Sequence, residues 1–131
     1  MDSDLILYEE PSEYKRVTLE KRLILFAIQI DSLCGKLPNT SLGNYIADNM
    51  VRASASTAFN YGEAQSAESK KDFIHKMKIC LKELREYFVS LKFIKYGSFK
   101  INMDDSQKLY QENNELISIF VRSIQTARKN S

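Results

Sequence analysis

The residues best equipped for chemistry cluster between Asn60 and Lys78, in the run NYGEAQSAESKKDFIHKMK. Glu63, the Lys70–Lys71 pair and His75, the single histidine of the chain, all fall within it. A carboxylate, an amine and an imidazole suit general acid–base catalysis when a fold holds them within hydrogen-bond reach. Spacing removes most such readings. A di-iron bundle needs Glu-x-x-His on two helices, and one histidine cannot supply that. A structural zinc needs four ligands, whereas Cys34, Cys80 and His75 are far apart in sequence. Nucleophilic catalysis needs a Ser or Cys beside a base and an orienting acid, and Ser54, Ser56 and Thr57 have no histidine patterned next to them. Gly62 alone does not make a phosphate loop. No Arg lies between Arg52 and His75, so the helical ribonuclease motif that sets an Arg shortly before its His is absent. The residues therefore read as non-enzymatic, with no metal and no cofactor.

Two polar patterns remain. Asn49, Ser56, Asn60 and Glu63 repeat at helical spacing, with Arg52 at the edge of their stripe. Ile46, Met50, Ala53 and Thr57 run directly beside it, so these polar groups should be at least half-buried. An unpaired buried polar group costs about 1–3 kcal/mol, so they should bond to one another, to a facing helix or to another subunit. A structural network that fixes helix register is the favoured reading, with a ligand contact at Asn60 and Glu63 as the alternative. The second pattern is a basic ridge. Lys71, Lys78, Lys82, Arg85 and Lys92 fall within about 80° of one another on a helical wheel. Copies of that ridge around an oligomer would accumulate a positive field able to hold phosphate backbones. The sequence shows no RNA-recognition sheet, KH loop or stacking platform, which makes any nucleic-acid binding mainly electrostatic.

The elements that must position these residues are helices. Only four Gly and two Pro punctuate the chain, and nothing between them alternates like a strand. Helices are expected over 12–36, 41–64, 69–95 and 105–127. Ser12 should cap the first, Ser69 with Asp72 the third, and Asp104 or Asp105 the fourth. The expected core stripes are Leu19, Leu23, Phe26, Ile30 and Leu33 on the first helix. On the third they are Phe73, Met77, Leu81, Leu84, Phe88 and Leu91. On the fourth they are Leu109, Leu116, Phe120 and Ile124, widened by Ile117 and Val121. The small residues of RASASTAF let a neighbouring helix approach the second closely. Short connections make this an all-α, antiparallel up-down-up-down four-helix bundle in a single domain over 1–131.

The 131 residues carry a formal charge of only +2, so the whole-chain charge names no polyanion partner. Its distribution is uneven, with nine Lys/Arg against three Asp/Glu between Lys70 and Lys100. Cys34 and Cys80 lie inside apolar patterns and read as free thiols. The acidic start MDSDLILYEE does not read as a signal peptide, and no apolar run approaches a membrane span. The expectation is a cytoplasmic protein without a membrane partner.

The segment LGNYIADNMVRASASTAFNYGEAQSAESKKDFIHKMKICLKELRE (42–86) carries a family likeness. It resembles the four-helix-bundle proteins related to the 23S rRNA intervening-sequence protein. Arg52, Ser56, Asn60, Glu63 and Ala64 occupy places of that family's pattern, followed by Ser69, Lys70, Asp72, Phe73, Ile74, Ile79 and Glu83. Asn49 stands where Gln is usual, Thr57 where Ile is, Tyr61–Gly62 where an apolar residue and Ala or Glu are, and Cys80 where Ala is common. The resemblance implies an antiparallel bundle commonly assembled as a homopentameric ring, and no established enzyme activity. Relatives include the accessory protein of diversity-generating retroelements, which implies RNA or a reverse transcriptase as partner. The sequence thus supports an oligomeric bundle that binds RNA or a nucleic-acid enzyme through the basic ridge. The alternative is a protein–protein scaffold with no nucleic-acid role.

Overall fold

A computed structural model describes residues 18–97, 99 and 101–130. Four helices make up the described chain: α1 (Leu19–Cys34), α2 (Ser41–Gln65), α3 (Lys70–Tyr96) and α4 (Met103–Lys129). No strand occurs among the described residues. The helices pair in chain order, α1 with α2, α2 with α3 and α3 with α4, and α1 meets α4 over a smaller surface than any of these. The pairing is antiparallel. Along α2 and α3, Arg52 reaches Glu83, the Thr57 carbonyl accepts from Cys80, and Glu63 reaches Lys76, so one number rises as the other falls. Phe88 with Tyr110, Leu84 with Asn113, and Lys70 with Asn130 show the same order between α3 and α4. The architecture is an up-down four-helix bundle.

Local chemistry sets the ends. The hydroxyl of Thr18 accepts from the Lys21 amide at 3.1 Å, so α1 begins at Leu19. The expected helix start at Ser12 lies outside the described residues. Ser69 caps α3 by accepting from the Asp72 amide at 3.0 Å, with the Asp72 carboxylate near the positive end of the helix dipole. The α4 cap differs from expectation. Asn102 Oδ1 accepts from the Asp104 amide at 2.8 Å, and Asp104 and Asp105 form the acidic first turn behind it. Asn fills the cap as well as Asp, and an N-terminal acid is favourable one turn further in.

Each helix lays a seam with spacings of three and four into the core, as in a coiled coil. The α1 seam is the expected Leu19, Leu23, Phe26, Ile30 and Leu33. On α4, Leu109, Leu116, Phe120 and Ile124 are buried, joined by Asn113, whose amide donates to the Leu84 carbonyl at 3.3 Å. The α3 seam is rotated from the expected one. Met77, Cys80, Leu84, Tyr87, Leu91 and Ile94 face the core, whereas Phe73, Leu81 and Phe88 are only half-buried. The small side chains Ala53, Ser54 and Thr57 on α2 are buried and let α3 come close, which encloses Cys80 and Glu83. Leu81 and Phe88 are left on the flank that faces α4. Edge-to-face contacts tie the layers together, Phe26 to Tyr87 at 5.0 Å and Tyr61 to Phe120 at 5.9 Å. Burying each such side chain stabilises the fold by about 1.5–3 kcal/mol.

The corner between α1 and α2 depends on Gly43. A methyl there would lie 2.1 Å from the Pro38 carbonyl oxygen and 3.1 Å from Thr40 Oγ1, the oxygen that accepts from the Gly43 amide. Gly43→Ala must therefore displace backbone and loosen the α2 cap. Overpacking costs about 1–3 kcal/mol and a lost cap about 1 kcal/mol, against about 1 kcal/mol gained in helix propensity. A net loss of about 2 kcal/mol is expected in urea unfolding. Gly62→Ala meets nothing within 4 Å, so the same method should show a gain of about 0.5–1 kcal/mol. Equal responses at the two glycines would contradict the steric account.

Candidate functional site

The α3 helix is divided lengthwise by charge. On the flank facing α2, Glu83 is buried and Glu86 half-buried. Arg52 spans both, Nη1 to Glu83 Oε2 at 2.9 Å and Nη2 to Glu86 Oε1 at 2.5 Å. About two turns towards the α2 C-terminus, Asn60 Nδ2 donates to the Ser56 carbonyl at 2.9 Å and approaches Ser56 Oγ at 3.0 Å. Glu63 pairs with Lys76 at 2.7 Å. The polar stripe of α2 is thus three separate contacts. Asn49, Ser56 and Asn60 are half-buried, but Arg52 and Glu63 are exposed, unlike the expected half-burial, because their long side chains reach over the helix edge to α3. Burial opposes the Arg52 charge, yet the facing carboxylates hold its pKa above the ordinary value. Hydrogen bonding to Glu63 does the same for Lys76.

The flank facing α4 carries the basic ridge. Lys71, Lys78, Lys82, Arg85 and Lys92 are all exposed. Among the described residues none of the five has a carboxylate partner, whereas Arg22, Lys36, Arg52 and Lys76 each do. Lys78, Lys82 and Arg85 form one wall of a groove of about 460 Å³. Leu81 and Ile124 contribute to its lining, and Val121, Gln125 and Arg128 of α4 stand opposite, with no acid among the lining residues. Lys71 lies beyond one end of the groove. At the other, Lys92 Nζ sits 4.7 Å from the centre of the Phe88 ring, which packs on Tyr110 at 4.9 Å with a 43° tilt. That half-buried aromatic pair joins α3 to α4, and the sequence did not reveal it. The ridge was legible on one helix, but Gln125, Arg128 and Tyr110 join it only through the pairing of α3 with α4. Their spacing along α4, on one row with Val121, was the available signal.

His75 is exposed, and it belongs to neither cluster. Both cysteines are free thiols. Burial raises Cys34 to about 11, reinforced by Asp31 and Asp48, and raises Cys80 to about 12. Both therefore stay protonated at neutral pH and are poor nucleophiles. No group of three His, Cys, Asp or Glu that could hold a metal occurs among the described residues. No helix is long and apolar enough to cross a membrane among them.

The opposite side of the bundle is apolar. Ile24 and Ile28 of α1 and Phe59 of α2 are 45%, 60% and 74% exposed. They flank a groove of about 420 Å³ whose floor includes Ala27, Ala55, Ala58 and Gly62. Large aromatic exposure of this kind marks a contact surface more often than a solvated one.

The sequence matches the family model described as 23S rRNA-intervening sequence protein over residues 15–122. No curated protein matches the chain. A solved structure of a protein with unknown function, from the S23 ribosomal protein family of Bacteroides thetaiotaomicron, is similar with a TM-score of 0.72 and 25% identity. The likeness covers 80% of this chain and 96% of that one. The family match extends from before α1 into the last third of α4, and the chain belongs to the 23S rRNA-intervening sequence protein family.

Proposed function

We propose that the protein is a non-enzymatic, self-associating bundle of the cytoplasm that binds RNA along the α3–α4 groove. The observation that carries this reading is the ridge of five exposed cations without a carboxylate partner among the described residues, three of them walling a groove that no described acid lines. A cation left uncompensated keeps its full attraction for phosphate, and several in a row give strong, salt-dependent binding. The family description, which refers to an intervening sequence of 23S rRNA, agrees with this partner class. The untagged protein purified from its host at low salt is expected to carry RNA that nuclease or raised salt removes. Protein free of nucleic acid under those conditions would overturn the reading.

The exposed apolar groove of α1 and α2 supports self-association, with a ring of five copies as the proposed assembly. Light scattering at micromolar concentration is expected to give a mass five times the 15.2 kDa of the chain. A mass equal to one chain would contradict the ring. The same apolar surface favours a second reading, a protein scaffold. A protein partner that copurifies despite nuclease and high salt would favour the scaffold over RNA binding.

A further inference from the structure

We infer that the α3–α4 groove takes single-stranded RNA in preference to duplex, with Tyr110 as the surface on which a base stacks. The inference rests on the RNA-binding reading above and deepens it.

The argument starts from alignment. On α3, Leu81 and Phe88 lie between the core seam and the basic ridge. On α4, Tyr110 lies on the same row as Val121 and Arg128. The Phe88–Tyr110 pair therefore lies on the line of the cationic groove, about one helical turn beyond Arg85 on α3. From Lys78 to Lys92 the ridge is about 21 Å long at 1.5 Å per residue, room for several nucleotides of an extended strand. The phosphate-attracting groups of the ridge line the α3 wall, Arg128 adds a cation on the α4 wall, and Leu81 and Ile124 give the floor an apolar character. Beyond the groove lies a half-buried aromatic pair next to an ammonium group. Cationic walls without an acid and an aromatic pair beyond them match a chain whose backbone is anionic and whose bases are free to turn inward.

A duplex cannot use this arrangement. Packed helices are about 8–10 Å apart between axes, so the groove is too narrow to admit a double helix to its floor. The base faces of a duplex are occupied by its own stacking, so Tyr110 has nothing to receive. Duplex RNA can touch only the ridge crest and bind by charge alone. Lys92 adds a positioning charge to the contact. Held over the Phe88 ring, its ammonium group places a cation beside the aromatic pair, where it can attract a phosphate of the strand.

The test uses fluorescence anisotropy with a labelled 15-nucleotide RNA of mixed sequence, alone and annealed to its complement. The wild-type protein is expected to bind the single strand about tenfold more tightly. Tyr110→Leu should lose about tenfold on the single strand with duplex affinity unchanged, in line with the usual contribution of one stacked base. Tyr110→Phe keeps the ring and should bind as wild type, which separates stacking from packing. Circular dichroism checks that each variant folds, and Phe88→Leu serves if Tyr110→Leu does not. Single-strand affinity unchanged in the leucine variant, or an equal loss on both RNAs, overturns the inference while leaving the groove as binding site. If Lys78→Glu, Lys82→Glu and Arg85→Glu together also leave both RNAs bound, the assignment of RNA binding to this groove falls with it.

Discussion

Replacing Lys78, Lys82 and Arg85 together by Glu is expected to abolish RNA retention at low salt and to leave helical content intact. The three side chains wall the groove from one helix, are exposed, and have no carboxylate partner among the described residues. Their removal is therefore expected to act on binding. Each phosphate contact to a single strand contributes about 0.7 to the slope of log affinity against log salt, so losing three lowers that slope by about two. The reversal goes further, because each new carboxylate repels phosphate where a cation attracted it. Loss of at least about 100-fold at 50 mM salt is the expected anisotropy result. A control reversal at Lys76, whose ammonium already pairs with Glu63, should change affinity far less. Retention of the triple variant at wild-type level would sink the ridge as a binding surface.

Arg52→Ala is expected to destabilise the fold by about 2–3 kcal/mol. The Glu83 carboxylate is only 10% exposed, while the Arg52 side chain that compensates it is 52% exposed. Without the guanidinium, the Glu83 carboxylate loses its ion-pair partner at the α2–α3 seam. Breaking a fully buried pair costs about 3–5 kcal/mol, and the solvent-facing arginine places this pair below that range. Glu83→Gln should cost less, since an amide needs no counter-charge, and combining it with Arg52→Ala should recover part of the loss. The midpoint of urea unfolding measures this at a fixed protein concentration, because self-association would shift it by mass action. A change below about 0.5 kcal/mol in the single variant, the ordinary range for a surface substitution, would show the pair to be inert.

The helices were legible because their apolar periods, caps and sparse Gly and Pro agree with one another. Ser69 with Asp72 announces the start of α3, and the α1 stripe of Leu19 to Leu33 is the observed core seam. The α3 seam was harder to read because burial there is decided by the neighbour. Cys80, Glu83 and Ser90 are enclosed although none is strongly apolar, and Phe88 is left half-open although it is. A stripe drawn through the most apolar residues therefore turned towards α4. The candidate site divides in the same way. The five cations share a face of one helix, which spacing alone reveals. The Arg52–Glu83–Glu86 contact and the Phe88–Tyr110 pair join two helices, and their partners depend on how far the chain slides when it turns back on itself.

The weak meeting of α1 with α4 has a kinetic consequence. Every strong contact surface in the bundle joins a helix to the next one along the chain, so loop closure stays short and the chain can fold as successive hairpins. The last closure, α1 onto α4, is held at its edge by Arg22, which reaches Glu112 at 2.7 Å and Glu115 at 3.2 Å. It is also where the native state opens at least cost. Partial opening there frees α1 from α4 while α2 and α3 stay clasped through Arg52 and Lys76. Amide exchange should accordingly begin at the first helix and spare the middle pair, making the protein a stable hairpin core with a hinged outer member.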